Sequence, residues 1–173
     1  MELIAVADEN WAIGRDDEQL LYIPEDLKRF RALTMGRTVI VGRKTLSTFP
    51  GGKPLAGRMN LILSTGDRWD LGGQNARVYG DLPSLLRDAP QDAMVIGGES
   101  VYRQLLPLCD RAYITKICAA FPADRFLPNL DRDPQWELRG RSQKMENQGI
   151  SYYYTEYRRK QPLQNDLSAD FNN

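Results

Sequence analysis

Short, unbroken apolar runs, each followed by a turn-forming residue, constrain the fold of this chain more than any other feature. Such runs are typical of strands buried on both faces of a mostly parallel sheet. Segments with helical periodicity lie between them, and alternating strands and helices require right-handed crossovers. The predicted strands are residues 3–7, 38–41, 61–63, 93–96 and 112–115, and the predicted helices are residues 24–34, 82–88 and 99–106.

The last third of the chain departs from this alternation. Residues 136–139 and 150–157 have the pattern of two strands with no helix between them, and Asn147-Gln148-Gly149 is typical of a turn. We therefore predict an α/β fold with three αβα layers, whose central, mixed, mostly parallel eight-stranded sheet ends in a C-terminal antiparallel hairpin. In this prediction residues 1–160 form one domain, and the polar residues 161–173 form a flexible tail.

Composition excludes several classes of protein. The chain has 173 residues, with 23 Lys and Arg, 23 Asp and Glu, and no His. The absence of His excludes Ser–His and Cys–His nucleophile pairs and His-based metal sites, so we expect no metal. Balanced charge does not favour a nucleic-acid partner, and no apolar run is long enough to span a membrane. Cys109 and Cys118 lack CxxC spacing, and no basic leader precedes the first apolar run. We therefore expect a cytoplasmic protein that binds a small molecule. We also expect a monomer.

Asp26 is the most informative single residue of the sequence. It follows Pro24, which favours the first turn of a helix, and it shares an apolar stripe with Leu27 and Phe30. A carboxylate that faces apolar surface needs hydrogen-bond donors, or else it keeps its proton at a raised pKa. A ligand with adjacent N–H donors, such as a pterin edge, meets this need. The alternatives are a first-turn acid that complements the helix dipole, or an ion pair with Arg29.

Three turns that follow predicted strands have the composition of phosphate-binding sites. Backbone N–H groups at a helix start attract anions, and glycine allows the backbone to approach a ligand closely. The carboxyl ends of parallel strands meet at one edge of a sheet, where ligands bind, although a plain tight turn is the alternative for each site. The fingerprints GxGxxG and GxxxxGK[ST] are absent. The three turns are Gly42-Arg43-Lys44-Thr45, Ser64-Thr65-Gly66 and Gly97-Gly98-Glu99-Ser100.

Two further segments have features of ligand-binding loops. Residues 8–23 are a long connection between a strand and a helix, which favours either a lid or a solvated charged loop. Arg58 follows Leu55-Ala56-Gly57, and a guanidinium held by such a loop can bind a carboxylate with two hydrogen bonds. A solvated surface arginine is the alternative.

Taken in order, these segments resemble the dihydrofolate reductase family from about Leu3 to Arg158. The resemblance implies NADPH-dependent reduction of 7,8-dihydrofolate to 5,6,7,8-tetrahydrofolate, by hydride transfer to pteridine C6 and protonation at N5. Each motif is weak alone, but the ordered set is specific. The motifs are Leu3-Ile4-Ala5-Val6, Ala12-Ile13-Gly14, Ile23-Pro24-Glu25-Asp26-Leu27, Val41-Gly42-Arg43-Lys44-Thr45, Pro54-Leu55-Ala56-Gly57-Arg58, Ile62-Leu63-Ser64, Val95-Ile96-Gly97-Gly98, Val101-Tyr102, Tyr113-Ile114-Thr115 and Ala123-Asp124-Arg125-Phe126-Leu127-Pro128.

The resemblance implies a slot for dihydrofolate and antifolate-type molecules around Asp26, the one catalytic residue. Asp26 binds the pteridine 2-amino group and N3, Thr115 supports Asp26 and the pteridine through a hydrogen-bonded water, and Arg58 binds the glutamate α-carboxylate. Water delivers the proton to N5, gated by residues 9–23. The implied substrate-binding residues are Ile4, Ala5, Val6, Leu21, Asp26, Leu27, Phe30, Leu55, Arg58, Ile96, Tyr102 and Thr115.

The resemblance also implies an NADPH site. Arg43, Lys44, Ser64 and Thr65 read the adenosine 2′-phosphate, and Thr45 with residues 97–100 holds the pyrophosphate. Ala5, Ile13 and Gly14 flank the nicotinamide near Tyr102, and the Gly97–Gly98 peptide is a candidate cis bond. The implied cofactor-binding residues are Ala5, Ile13, Gly14, Gly42, Arg43, Lys44, Thr45, Leu63, Ser64, Thr65, Ile96, Gly97, Gly98, Glu99, Ser100, Val101 and Tyr102.

The chain departs from the family's pattern at one place, and two other functions compete with the one that the resemblance implies. Leu20-Leu21 stands where the family usually has Pro-Trp, and Leu21 cannot donate the hydrogen bond of an indole. The competing functions are a related pyrimidine or pteridine reductase of the type used in riboflavin synthesis, and a catalytically silent nucleotide-binding module. Arg58 and Ile23-Pro24-Glu25-Asp26-Leu27 favour folate, and the presence of Asp26, Arg43 and Arg58 together disfavours a silent module.

Overall fold

The computed structural model describes residues 1–66 and 75–161, so the predicted tail lies outside the described residues except for Gln161. The helices in this part are α1 (Pro24–Thr34), α2 (Arg43–Ser47), α3 (Leu82–Asp88) and α4 (Glu99–Leu105). The strands are β1 (Glu2–Ala7), β2 (Ala12–Arg15), β3 (Glu18–Gln19), β4 (Thr38–Gly42), β5 (Met59–Leu63), β6 (Ala76–Tyr79), β7 (Met94–Gly97), β8 (Arg111–Ile117), β9 (Arg125–Phe126), β10 (Trp136–Arg141), β11 (Met145–Asn147) and β12 (Ile150–Arg159).

The central sheet confirms the predicted α/β fold. Eight strands follow the order β10-β12-β8-β1-β7-β4-β5-β6, and the short strand β11 adds a ninth by pairing with β12. The strands from β8 to β6 are parallel to one another, whereas β12 is antiparallel to β8, β10 and β11. The C-terminal strands therefore extend a parallel sheet with antiparallel pairs, as the sequence predicts.

Successive residues of the buried strands point to opposite faces of the sheet, which creates two core layers. Leu3 belongs to the cluster that packs against α3 and α4, through residues such as Leu105. The next residue, Ile4, belongs to the cluster that contains Leu46 of α2 and Phe30 of α1. The helices therefore cover both faces, and α1 lies on the same face as Ile4.

Local structure differs from the sequence prediction at residues 8–23. This segment contains a small hairpin of β2 and β3, and β2 also pairs with β9. Its turn is Asp16-Asp17, and both residues have positive φ angles of 52° and 63°. Two-residue hairpins need such angles, and glycine is the usual signal for them. The strands are therefore not evident from the sequence pattern.

Candidate active site

The three predicted turns lie at one edge of the sheet. Gly42 pairs with Leu63 across β4 and β5, and Val41 pairs with Gly97 across β4 and β7. Because these strands are parallel, the segments after Gly42, Leu63 and Gly97 leave the sheet side by side. Ligands of open α/β sheets bind at this edge.

Asp26 is buried in the first turn of α1, with only 9% of its surface exposed. Pro24 begins the helix, and the N-cap residue Ile23 provides no side-chain hydrogen bond. The hydroxyl of Thr115, on β8, donates a hydrogen bond to Oδ1 of Asp26. The resemblance implies a water that links Thr115 to Asp26 and the pteridine, and the structure adds a direct bond between the two side chains, because α1 lies close to β8. Oδ2 of Asp26 accepts no hydrogen bond from the described residues.

Two effects oppose one another at the Asp26 carboxylate. Burial raises its pKa, and this is the larger effect. The hydrogen bond from Thr115 and the positive charge of Arg29 both lower it. Arg29 nevertheless makes no ion pair with a carboxylate in the described part of the chain, so the alternative of an Asp26–Arg29 pair is not realised. Asp26 therefore keeps one oxygen available for a donor outside the chain.

Most of the predicted apolar lining residues lie on or beside the sheet face that helix α1 and Asp26 cover. Val6 pairs with Thr115 across β1 and β8, so their side chains share this face. Leu27 remains 39% exposed. The side chain of Ala5 lies in the cluster on the opposite face of the sheet. The other predicted lining residues divide between two neighbouring clusters, one with Ile4, Phe30, Leu55 and Ile96, the other with Val6 and Leu21.

Tyr102 links the two faces. Its ring is buried in the cluster of α3 and α4, and its hydroxyl donates to the carbonyl oxygen of Ile4 at 2.7 Å. A Cβ added to Gly97 would lie 3.4 Å from this hydroxyl. Burial raises the pKa of Tyr102 well above its ordinary range, so the phenol stays neutral. Tyr102 therefore acts here as a fixed hydrogen-bond donor.

Arg58 is held in one orientation by its own chain. Its Nε and Nη2 each donate to the Thr34 hydroxyl at 3.1 Å, and Nη1 donates to the carbonyl of Ala56 at 2.8 Å. Thr34, fully buried, donates in turn to the carbonyl of Phe30 at 2.8 Å. Arg58 makes no ion pair with any carboxylate of residues 1–66 and 75–161. Its positive charge is therefore available for an external anion.

Asn60 is a site residue that our sequence analysis missed. It is fully buried in β5, and its Oδ1 accepts a hydrogen bond from the backbone N–H of Leu55 at 2.9 Å. Its Nδ2 lies 3.0 Å from the carbonyl oxygens of both Leu55 and Arg58. Asn60 therefore fixes the loop that carries Arg58. The signal in the sequence is a lone amide inside an apolar strand, since a buried amide needs partners.

Gly97, the last residue of β7, and Gly98 form a narrow cradle with α2. The Gly97–Gly98 peptide bond is cis, as the resemblance implies. A Cβ on Gly98 would lie 2.5 Å from Oγ1 of Thr45, and one on Gly42 would lie 3.0 Å from Val101. A side chain at either position would fill the cradle, so glycine is required for this close approach.

Cationic and hydroxyl groups lie beside this cradle. A Cβ on Gly66 would lie 3.0 Å from the Arg43 guanidinium, so Arg43 reaches the segment that holds Ser64 and Thr65. Lys44 is exposed next to it. A backbone cradle beside two cations and several hydroxyls suits a phosphorylated dinucleotide, and these residues therefore fit NADPH.

The segment after β1 is anchored at both ends. The carboxylate of Asp8, which is fully buried, accepts hydrogen bonds from the backbone N–H groups of Ala12 and Phe121, each at 2.9 Å. The N–H of Asp124 donates to the carbonyl of Gly14 at 3.2 Å. A Cβ on Gly14 would lie 2.6 Å from the carbonyl oxygen of Glu18, so the hairpin itself requires this glycine. The hairpin thereby holds Ile13 and Gly14 close to β1.

The fold and this site define a class, the α/β enzymes that bind their ligands at the carboxyl edge of a parallel sheet. A family model described as dihydrofolate reductase matches residues 1–159. The dihydrofolate reductase of Neisseria meningitidis serogroup A is 32% identical over 157 residues, which cover 91% of this chain and 96% of that protein. The enzyme of Bacillus subtilis is 33% identical over 164 residues, with 92% and 95% covered.

A solved structure gives the same result. Dihydrofolate reductase from Enterococcus faecalis, complexed with NADP(H) and RAB-propyl, superimposes with a TM-score of 0.79 at 28% sequence identity. The match covers 92% of this chain and 96% of that one. The chain belongs to the dihydrofolate reductase family. Membership of this family favours dihydrofolate reductase activity over the two alternatives, a riboflavin-type reductase and a catalytically silent nucleotide-binding module.

The described residues were also considered as metal ligands and as membrane-spanning helices. Residues 1–66 and 75–161 contain no group of three or more Asp, Glu, Cys or His side chains that could hold a metal ion. Helices long and apolar enough to cross a membrane are likewise not found in these ranges.

Proposed function

We propose that this chain reduces 7,8-dihydrofolate to tetrahydrofolate with NADPH, and that Asp26 binds the pteridine ring. One observation carries the assignment of Asp26: it is a buried carboxylate with one oxygen bonded to Thr115 and the other without a donor from the described residues. A pteridine presents two adjacent N–H donors, at N3 and the 2-amino group. This donor pair matches the carboxylate that the chain leaves half-satisfied.

The chain's own residues position the substrate and control its charge. Bound NADPH supplies a hydride to pteridine C6, and a proton is added at N5. Asp26 orients the ring through N3 and the 2-amino group, and its negative charge favours a protonated ring. The apolar residues Ile4, Phe30 and Leu55 exclude water from the ring faces, which strengthens this electrostatic effect. No histidine exists in the chain to deliver the N5 proton, so we assign this task to water.

The remaining groups bind the two ends of the ligands. Arg58, oriented by Thr34, binds the glutamate α-carboxylate of dihydrofolate or of an antifolate. Arg43 and Lys44, with Ser64 and Thr65, bind the 2′-phosphate that distinguishes NADPH from NADH. Thr45 and residues 97–100 hold the pyrophosphate, because the cradle admits a ligand close to the backbone. Ala5, Ile13 and Gly14 flank the nicotinamide.

Three broader assignments are also proposals. Residues 1–160 suffice for activity, the enzyme is a monomer, and it acts in the cytoplasm without a nucleic-acid partner. Both cysteines are free thiols, and Cys109 is buried, which suits a reducing compartment. The formal net charge of zero gives no electrostatic support for binding nucleic acid. Truncation after residue 160, followed by an activity assay and light scattering, tests the first two.

One spectrophotometric assay tests both the proposed reaction and the role of Asp26. Absorbance at 340 nm is followed with NADPH and dihydrofolate, with and without an antifolate, for the wild type and Asp26→Asn. We expect oxidation of NADPH that requires dihydrofolate and stops with the antifolate. We expect Asp26→Asn to lower kcat/KM by roughly 10²- to 10³-fold near neutral pH, since the loss of one group that stabilises developing charge costs about that much. Wild-type turnover by the variant would remove Asp26 from the mechanism, whereas inactive wild type would remove the function.

A further inference from the structure

Arg29 is a half-buried cation whose placement the folate site does not explain. It follows Asp26 by three residues on α1, so both side chains leave the same face of the helix. Its Nη1 is buried and has no hydrogen-bond partner among residues 1–66 and 75–161. A buried guanidinium donor without a partner is unfavourable, so other contacts must stabilise Arg29 at this position.

Two aromatic rings hold the Arg29 guanidinium in place. Its Cζ lies 4.3 Å from the ring centroid of Tyr154 and 5.7 Å from that of Tyr113. Cation–π contacts at these distances stabilise a cation that lacks a full set of hydrogen bonds. Tyr154 on β12 pairs directly with Thr115 on β8, and Tyr113 is two residues before Thr115. The rings that hold Arg29 therefore share a sheet face with the hydroxyl that holds Asp26.

Among the ionisable groups on this face, Asp26 is the negative charge that Arg29 affects most. On β12, burial raises the pKa of Tyr154 to about 12, so this phenol is neutral at physiological pH. Glu156, also on β12, is paired with Arg158 at 2.9 Å and with Arg111 of β8 at 3.4 Å. Three further phenols interact with Asp26, Arg29 or Tyr154, namely Tyr113 on β8, Tyr152 on β12 and Tyr102 on α4.

We propose, on the basis of the proposed function, that Arg29 is a positioning residue that keeps the Asp26 carboxylate ionised without bonding to it. A direct bidentate pair would occupy the oxygen that the substrate needs. A guanidinium held on Tyr154, making no ion pair with Asp26, instead supplies positive potential and leaves Oδ2 open. Arg29 thereby opposes the desolvation that favours the protonated acid.

The direction of the effect follows from the charges. Burial raises the pKa of Asp26, and the Arg29 cation lowers it. Removing that cation therefore raises the pKa further, so the carboxylate takes up its proton at a higher pH. A protonated acid accepts hydrogen bonds less strongly than an ionised carboxylate does. In a variant without the Arg29 charge, dihydrofolate binding therefore begins to weaken at a higher pH than in the wild type.

The test follows the Asp26 carboxyl directly in the full-length, ligand-free protein. Aspartate labelled with ¹³C at Cγ is titrated by NMR, and the Asp26 resonance is assigned by its loss in Asp26→Asn. Arg29→Met and Arg29→Gln remove the charge, Arg29→Lys keeps it, and Lys28→Met removes a charge from the exposed side of the same helix. We expect the midpoint to move to higher pH in the first two variants and to stay near the wild-type value in the last two.

The outcomes separate this inference from the function on which it rests. An unmoved midpoint in a folded Arg29→Met or Arg29→Gln protein overturns the proposal. So does a midpoint in Arg29→Lys that moves as far as in Arg29→Met, since packing and not charge then explains the shift. In the activity assay, we expect the KM for dihydrofolate of Arg29→Met to rise below the shifted midpoint, with kcat at high pH retained. If the wild type shows the predicted titration yet does not reduce dihydrofolate, the proposed function fails and the electrostatic coupling stands.

Discussion

The Thr115 hydroxyl on β8 donates a hydrogen bond to the Asp26 carboxylate on α1, across 89 residues of sequence. This contact fixes the carboxylate relative to the central sheet, and with it the orientation of a bound ring. It also lowers the pKa of Asp26 against the opposing effect of burial. One short polar contact thus sets both the geometry and the charge of the proposed catalytic residue.

Replacement of Thr115 by Val removes this hydrogen bond while keeping a similar shape. Hydrogen bonds to charged groups contribute about 1.5–3 kcal/mol, so we expect the KM for dihydrofolate to rise roughly tenfold or more. Thr115→Ser keeps the hydroxyl and serves as the control. Steady-state kinetics near neutral pH provide the measurement, and equal KM values for Thr115→Val and wild type would show that the contact has no role in binding.

Asp26→Asn is expected to stabilise the fold at neutral pH. The folded-state pKa of Asp26 is raised above its ordinary value of 3.8, so the unfolded chain ionises at lower pH than the folded one. Stability is therefore lost as pH rises from the ordinary pKa through the raised one. Asp26→Asn does not lose stability in this way. Its melting temperature should therefore exceed that of the wild type by an amount that grows over this pH interval and vanishes at lower pH. Asp92→Asn, at an exposed position, is the control, and a gap that is independent of pH contradicts this prediction.

Thr34→Val removes the acceptor that orients Arg58. Two hydrogen bonds are lost, so we expect the KM for dihydrofolate to rise roughly tenfold while kcat changes little. A dihydropterin without the glutamate should be reduced equally well by variant and wild type, because it never contacts Arg58. Thr34→Ser keeps the hydroxyl as a control. Equal losses with both substrates would indicate general damage to the fold instead.

Arg43→Ala combined with Lys44→Ala should reduce the preference for NADPH over NADH. Each charge-assisted bond to a phosphate contributes about 1.5–3 kcal/mol, so the ratio of kcat/KM values should fall roughly tenfold or more. Activity with NADH itself should change little. Lys160→Ala removes a charge far along the chain and serves as the control. An unchanged ratio in the double variant would place the 2′-phosphate elsewhere.

The sequence predicts regular elements best where local chemistry determines them. Helices α1 and α3 begin and end at the predicted residues, because a proline occupies one of the first two positions of each and Asp81 caps α3. The parallel sheet follows from unbroken apolar runs. The fourth helix ends one residue early, at Leu105, because Pro107 opens a short 3₁₀ turn there.

Tertiary contacts between distant segments are not encoded in any local pattern. The bonds from Arg58 to Thr34 and the stacking of Arg29 on Tyr154 depend on how α1 lies against a loop and a strand far away in sequence. The β2–β3 hairpin was missed because Asp16 and Asp17 adopt positive φ angles without glycine. The resemblance supplied residue roles, and the direct bond between Thr115 and Asp26 became evident only from the structure.

A structure of the chain in complex with NADP(H) and a pteridine ligand tests the role of Asp26 most directly. We expect both carboxylate oxygens near the ring, with Oδ2 at about 2.7–2.9 Å from N3 or the 2-amino nitrogen, as in charge-assisted hydrogen bonds. We also expect the Thr115 bond to Oδ1 to persist. A pteridine bound elsewhere, or bound at this slot with no contact to Asp26, would contradict the proposed mechanism.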